Sequence, residues 1–254
     1  MDIEKLLTTC RKQASKEMVS VFSDDLYKDG EGSLRTREAI QLIRGKTLGL
    51  ILSLRCFAGE ALNVPTVYHD ESICCTNTTI TVGELAVRWL SNFVDYVRKL
   101  DGIFGNEPES GESASLRADY GAAFILASIA HSSFMMASDI GMLQYDDDRC
   151  IRIMELAGYL PELMNMTWDV LAMHGLESTL EEKAKEQEII SCAFYVVDVA
   201  LILSTGLIND FDVGKIRLDE QQPKKHSSKE AEDYLLDVVD PLLVENDGRI
   251  LYYT

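Results

Sequence analysis

Few residues in this chain interrupt helices or mark a known type of active site. The chain has only 5 prolines, 4 histidines and 2 tryptophans among 254 residues. Because proline removes a backbone donor and breaks helices, its scarcity favours long uninterrupted helices. The glycine patterns GxGxxG and GxxxxGKS and the nucleophile pattern GxSxG are absent. Dinucleotide-binding, P-loop and serine-hydrolase functions therefore have no support from motifs, and no catalytic residue can be assigned.

Positive charge is also scarce. The chain has 24 Lys and Arg against 42 Asp and Glu, which gives a formal net charge of −18. Residues 1–57 hold ten basic and eight acidic residues, whereas residues 58–254 hold fourteen and thirty-four. Nucleic acids and anionic membranes are bound through clustered basic residues, so we expect the protein to bind neither of them directly. The charge favours a protein partner with a basic surface.

No pair of cysteines has the CxxC spacing of redox and zinc sites. The six cysteines lie at positions 10, 56, 74, 75, 150 and 192. The adjacent Cys74 and Cys75 cannot complete a tetrahedral zinc site by themselves. The N-terminal sequence MDIEKLL lacks the uninterrupted apolar core of a secretory signal. We therefore expect a reducing, cytoplasmic location.

Apolar residues recur at steps of three and four along most of the chain, which predicts amphipathic helices. The first helix is predicted over residues 3–22 and the second, buried centrally, from Thr36 to about Leu62. A capping box of Thr81 and Glu84 predicts the start of the next helix. Further capping boxes predict the starts of later helices: Thr179 with Glu182 and Ser227 with Glu230.

Small residues crowd the segment 118–142, so we expect it to form the innermost helix. In the next helical segment, Pro161 is expected to kink the helix or to start a new one. Buried polar groups are expected at two helical positions: a hydrogen-bonded core histidine at His131 and a carboxylate in a structural ion pair at Asp198.

The predicted fold is all-α: a single domain, residues 1–254, built as a bundle of about seven helices. Residues 64–80 have a β-favouring composition and predict a short hairpin. A second hairpin is predicted at the C-terminus, with its turn at residues 246–248. The acidic, Gly- and Ser-rich segment 105–113 is the candidate for a subdomain boundary.

One acidic cluster suggests an alternative, catalytic function that depends on a metal ion. Carboxylates from two converging helix ends could hold Mg²⁺ for diphosphate or nucleotide chemistry, because hard cations prefer oxygen ligands. The candidate ligands are Asp146, Asp147, Asp148, Asp210 and Asp212. In the competing interpretation, Asp146 to Asp148 only cap the helix that follows and no metal is bound. Apart from the Mg²⁺ of this alternative, no cofactor is predicted.

The charge asymmetry and the absence of motifs favour a noncatalytic, acidic interaction module, an adaptor or inhibitor that docks on a basic partner. One alternative is an Mg²⁺-dependent helical hydrolase or transferase that uses the aspartates named above. A second alternative is a structural subunit of a larger assembly. Independently of these functions, the chain is a candidate for assembly with identical copies. The sequence does not resemble any family closely enough to name it.

Overall fold

A computed structural model describes residues 3–22, 32–68, 78–104, 112–143, 147–173, 180–215 and 229–250 of the chain. The helices are α1 (Ile3–Gln13), α2 (Lys16–Val21), α3 (Gly32–Ala61), α4 (Val82–Phe104), α5 (Glu112–Met142), α6 (Asp148–Met173), α7 (Leu180–Asn209), α8 (Lys229–Tyr234) and α9 (Asp240–Glu245). The strands are β1 (Pro65–Tyr68) and β2 (Thr78–Thr81). The predicted all-α bundle is confirmed.

The first helical segment is divided at Ser15. One helix was predicted over residues 3–22, but α1 ends at Gln13 and α2 begins at Lys16. The backbone N–H of Ser15 donates to Asp198 Oδ2 at 2.7 Å, and its side chain caps α2 by accepting from the Met18 N–H at 3.2 Å. The apolar periodicity continues through the break, so it could not reveal that Ser15 bonds outside its own segment.

The hairpin near residues 64–80 is confirmed. Strands β1 and β2 pair antiparallel, with Pro65 opposite Thr81 and Thr66 opposite Ile80. The capping box at the start of α4 is also confirmed. The Thr81 N–H donates to Glu84 Oε2 at 2.8 Å, and the Glu84 N–H donates to Thr81 Oγ1 at 3.0 Å. The other two predicted capping boxes include residues outside the described parts of the chain.

The innermost helix is α7, not α5 as the small residues of segment 118–142 suggested. Helix α7 packs against α1, α3, α5 and α6, and its residues 192–201 are all buried. On α5, by contrast, Phe124 is 59% exposed and Met135 is 41% exposed. Helix α5 also packs against several helices, including α4, α6 and α7, but part of its surface stays exposed to solvent.

Helix α6 continues through Pro161, so no new segment starts there. Proline has no backbone N–H, and the carbonyl of Ala157 therefore cannot accept the helical hydrogen bond that residue 161 would normally donate. The prediction of a kink is not decided by the helix bounds alone. Ala157 and Pro161 both line a groove between α6 and α5.

The predicted C-terminal hairpin is wrong over the described residues, because residues 240–245 are helical and Asp247–Arg249 form a 3₁₀ turn. Asn246 ends helix α9: its side-chain Nδ2 donates to the Leu242 carbonyl at 2.8 Å. Its Oδ1 accepts from Arg44 Nη2 on α3 at 2.7 Å. A residue that the sequence suggested for a turn between strands therefore anchors a helix end.

Side chains buried in one apolar cluster extend from Leu6 to Ile250 and include members of α3, α4, α5, α6 and α7. Between α4 and α5 the indole N–H of Trp89 donates to buried Asp139 at 2.7 Å. The assignment of the whole chain to one domain stays a prediction. The proposed boundary at 105–113 falls mostly on residues outside those described, and only Glu112 and Ser113 are seen, at the start of α5.

Among the described residues, two helical segments are long and apolar enough to cross a membrane by length and composition: Phe124–Met142 and Glu188–Asn209. Core helices of soluble proteins pass the same test. In the more apolar of the two segments, Glu188–Asn209, 78% of the tested window is buried inside the bundle.

Candidate functional site

Two of the aspartates proposed as Mg²⁺ ligands do come together, but they meet around an arginine. Arg149 Nη2 donates to Asp147 Oδ2 at 2.7 Å, and Arg149 Nη1 donates to Asp210 Oδ2 at 2.7 Å. The hydrogen bonds that Arg149 donates lower the pKa of Asp147, and the hydrogen bonds to Asp147 and Asp210 raise the pKa of Arg149. The guanidinium thus supplies the positive charge that the metal would have supplied.

The other members of the acidic cluster have local roles or are not described. Asp148 is the first residue of α6, and Asp212 Oδ1 accepts from the Gly214 N–H at 2.9 Å. Asp146 lies outside the described residues. Within the described parts of the chain, no group of three or more His, Cys, Asp or Glu side chains is arranged to hold a metal ion.

A buried ion pair joins α3 to α7. Lys46 Nζ is bound to Asp198 Oδ1, and the two side chains are 1% and 0% exposed. Lys46 Nζ also donates to Ser15 Oγ at 2.6 Å, and Asp198 Oδ2 accepts the Ser15 N–H. The predicted structural ion pair at Asp198 is therefore confirmed. Its partner lies 152 residues away in the chain, so no local pattern could have identified it.

Burial shifts the pKa values of both partners towards their neutral forms. Desolvation lowers the pKa of Lys46 to about 7, and the nearby Glu17 acts against this shift. Desolvation raises the pKa of Asp198 to about 6, while its hydrogen bonds from Ser15 act in the opposite direction. Such shifts also occur at catalytic groups, but here both partners are closed off from solvent, so a substrate could not reach them. We interpret the cluster as a structural connection between α2, α3 and α7.

A solvent-accessible groove lies between α5 and α6, with a volume of about 340 Å³. Its described lining is mostly apolar and consists of Ala127, His131, Phe134, Ala157, Gly158, Leu160 and Pro161. The volume is at the lower end of the range of about 300–1,000 Å³ that small-molecule pockets occupy. Small residues on both helices leave this space, and an added Cβ at Gly158 would have nothing within 4 Å.

His131 is the groove's ionisable side chain among the described lining residues, and it is exposed. The prediction of a buried core histidine is therefore wrong, because the face of α5 that carries His131 points away from the core. The ring of His131 stacks on Phe134, with centroids 6.4 Å apart and planes 10° apart. A neutral imidazole has one nitrogen that can accept a proton, so the groove combines a group able to act as a base with space for a small molecule.

Sequence reasoning did not find this groove, although part of its signal was visible. Ala127 and His131 are four residues apart on α5, and Ala157 and Pro161 are four apart on α6, so each pair shares a helix face. The sequence does not show that these two helix faces lie against each other. The remaining histidines, at positions 69, 174 and 226, and the pair Cys74–Cys75 lie outside the described residues.

No family model and no curated protein matches this sequence. Solved structures do share its fold. A fumarate lyase from Mesorhizobium sp. BNC1 is 16% identical, with a TM-score of 0.61 over 92% of this chain and 67% of that chain. A 3-carboxy-cis,cis-muconate lactonizing enzyme from Pseudomonas putida is also 16% identical, with a TM-score of 0.61 over 92% of this chain and 66% of that chain.

A third structure, a beta-carboxy-cis,cis-muconate cycloisomerase from Acinetobacter calcoaceticus sp. ADP1, is 14% identical, with a TM-score of 0.59. That match covers 93% of this chain and 62% of the cycloisomerase. This chain thus spans about two thirds of the length of the enzymes it resembles. At these identities the similarity establishes the fold.

The interpretation as a noncatalytic acidic interaction module is wrong, because it treated a helical chain without motifs as one without chemistry. The three solved structures described above have the same fold and are enzymes. The alternatives of an Mg²⁺-dependent hydrolase or transferase and of a purely structural subunit fall with it. The three matched structures are named as a fumarate lyase, a lactonizing enzyme and a cycloisomerase, and none of the three is named as a hydrolase, a transferase or a structural subunit.

Proposed function

We propose that this protein is an enzyme that adds a group to, or eliminates one from, the carbon–carbon double bond of a small carboxylic acid. The fold similarity carries the proposal, because it extends over 92% of this chain and the matched enzymes act on fumarate or on carboxy-substituted muconate. Fumarate and muconate are both unsaturated carboxylic acids. A chain with this fold is therefore a candidate for chemistry at such a double bond.

An elimination of this kind needs a base close to the substrate. The base removes a proton from the carbon next to the carboxylate, the leaving group departs from the neighbouring carbon with its electron pair, and the double bond forms. The reverse reaction adds the same groups. His131 supports this role, because it is exposed in a groove of about 340 Å³ that can hold a small acid.

The buried Lys46–Asp198 pair and the Arg149 cluster have a different role in this proposal. Lys46 and Asp198 are buried and both contact Ser15, and Arg149 is bound to Asp147 and Asp210. These charges hold the helices in place and leave the proton transfer to His131. The expected partner with a basic surface, assembly with identical copies and the cytoplasmic location stay predictions that none of the described contacts bears on.

The proposal can be tested with unsaturated mono-, di- and tricarboxylic acids and with their hydrated and aminated forms. Turnover is followed by the ultraviolet absorbance of the double bond. We expect turnover of at least one acid, and His131→Gln should lower kcat by about 10²-fold or more, the usual contribution of a general base. Met135→Gln is the matched control, because Met135 is exposed on the same helix one turn away and does not line the groove.

Two results would contradict the proposal. If the folded wild-type protein turned over none of these acids, the proposed reaction class would be wrong. If the His131→Gln and Met135→Gln variants were both as active as the wild type, the reaction would not depend on His131.

A further inference from the structure

The groove between α5 and α6 differs in charge from the rest of the molecule. The whole chain carries a formal charge of −18, yet none of the described lining residues is acidic. A substrate with two or three carboxylates would be repelled by the overall field as it approached. In the described lining, His131 can donate an imidazole N–H to one carboxylate. The electrostatics therefore favour a ligand with a single carboxylate.

The rest of the lining favours an apolar and flat ligand. Apart from His131, the described lining side chains are carbon only, and Phe134 is the aromatic one among them. The rings of His131 and Phe134 are nearly parallel, with planes 10° apart. A flat ligand can therefore align with both rings at once. Aromatic rings prefer offset-stacked or edge-to-face contacts with other aromatic rings. A conjugated planar group could make such contacts here while its carboxylate reaches the imidazole.

The α6 side of the groove is open at Gly158. An added Cβ at this residue would have nothing within 4 Å, so a side chain there would extend into free space. Pro161, which also lines the groove, leaves the carbonyl of Ala157 without its usual helical donor. In the hydrated form of an unsaturated acid, a hydroxyl group could donate to a carbonyl of this kind.

We propose that the groove binds an unsaturated monocarboxylic acid with an aromatic or other planar apolar body, its carboxylate placed at His131. This inference rests on the proposed function, because that function supplies the unsaturated acid. It goes further by naming a substrate class that differs from the polycarboxylic fumarate and carboxymuconate of the enzymes with the same fold. The groove selects for one charge and a large apolar surface.

Binding of trans-cinnamate, an aromatic unsaturated monocarboxylate, tests the inference on the full chain. Isothermal titration calorimetry and the imidazole proton resonances of His131 report binding independently of turnover. We expect saturable binding of cinnamate and at least about 10-fold weaker binding of fumarate. His131→Gln should weaken cinnamate binding about 10-fold, which corresponds to about 1.4 kcal/mol. The same variant should leave the binding of uncharged cinnamyl alcohol unchanged.

A pair of glycine variants tests the location. Gly158→Leu should abolish cinnamate binding, because the new side chain fills the groove. Gly141→Leu is the matched control: Gly141 is also helical and exposed, with nothing within 4 Å of an added Cβ, but it does not line the groove. Both variants replace a helical glycine by a better helix former, so both should fold.

The outcomes separate this inference from the proposed function. Cinnamate binding that survives Gly158→Leu, or fumarate binding as tight as that of cinnamate, would overturn the inference even if the protein turned over other acids. Saturable cinnamate binding that Gly158→Leu removes, without turnover of any acid tested, would support the groove site and contradict the proposed reaction.

Discussion

The helix pair α3 and α7 differs from the helix pair α5 and α6 in which side chains it buries. In the first pair, charged Lys46 and Asp198 are buried against each other at 1% and 0% exposure. In the second pair, apolar Phe124 and Ile151 are 59% and 53% exposed. Burial in this bundle thus follows the position of a helix among its neighbours and not the polarity of single residues. The interior tolerates charge where it is paired, and the outer helices keep apolar surface available.

The largest expected effect comes from breaking the inner ion pair. Asp198→Leu leaves Lys46 buried without its carboxylate, so we expect the free energy of unfolding to fall by about 3–5 kcal/mol. The double variant Lys46→Met with Asp198→Leu removes both charges and should recover most of that loss. Urea unfolding followed by circular dichroism measures both. A double variant as unstable as the single one would mean that the attraction of the pair stabilises the fold outright.

Truncating an apolar side chain should lower the free energy of unfolding more on α7 than on α5, and this difference should be smaller than the effect of breaking the ion pair. Leu201 on α7 is fully buried, so Leu201→Ala should lower the free energy of unfolding by about 2–5 kcal/mol. Met135 on α5 is 41% exposed, and Met135→Ala should cost less than about 1 kcal/mol. Thermal and urea unfolding of the two variants test this ranking. Similar losses at both positions would show that α5 is buried in solution by contacts beyond those described.

The inner pair also predicts a dependence of stability on pH. Asp198 has its pKa raised from 3.8 to about 6, so between these values the folded protein binds a proton that the unfolded chain lacks, and stability falls as pH rises. Lys46 has its pKa lowered from 10.5 to about 7, so between these values the unfolded chain binds the extra proton, and stability rises with pH.

The contribution of the pair is therefore expected to be smallest between about pH 6 and 7. Its slope on either side should be at most about 1.4 kcal/mol per pH unit. The measurement is the difference in unfolding free energy between the wild type and the double variant at several pH values, which removes the contribution of other groups. A maximum near pH 6 to 7 would contradict the signs of both shifts.

The smallest effects on stability are expected from substitutions of glycines on α5 and α7. At Gly141 on α5 an added Cβ meets nothing within 4 Å, so Gly141→Ala should raise stability by up to about 1 kcal/mol through helix propensity. At Gly206 on α7 the Cβ would lie 3.2 Å from Arg149 Nη1, the atom that binds Asp210. Gly206→Ala should therefore give less stabilisation than Gly141→Ala, or a net loss. Thermal unfolding of the two variants distinguishes these results.

Local signals in the sequence were sufficient for the helices and for one hairpin. Thr81 and Glu84 form the predicted reciprocal cap because both partners lie within one turn. The sequence also identified Asp198 as a carboxylate that needs a partner. It could not identify Lys46, and it missed the helix break at Ser15, because those contacts join residues 152 and 183 positions from Asp198.

The candidate site was hidden for a related reason. Its lining comes from two helices, and neither half differs in composition from ordinary helix packing. His131 was expected in the core because its neighbours in sequence are small and apolar, yet its side chain is exposed in the groove between α5 and α6. Patterns along one helix give its apolar face, whereas the arrangement of helices around it decides which part of that face is covered.

The contacts of Ser15, Lys46 and Asp198 also constrain how this sequence can diverge. Each residue lies on a different part of the chain. Replacing Lys46 or Asp198 alone strands a charge in the interior, and replacing Ser15 removes an acceptor of Lys46 Nζ and the cap of α2. Relatives of this protein should therefore keep all three residues or have lost the Lys–Asp charges together. A pattern of joint change at these three positions would identify descendants of the same ancestral bundle even where overall identity has become too low to detect.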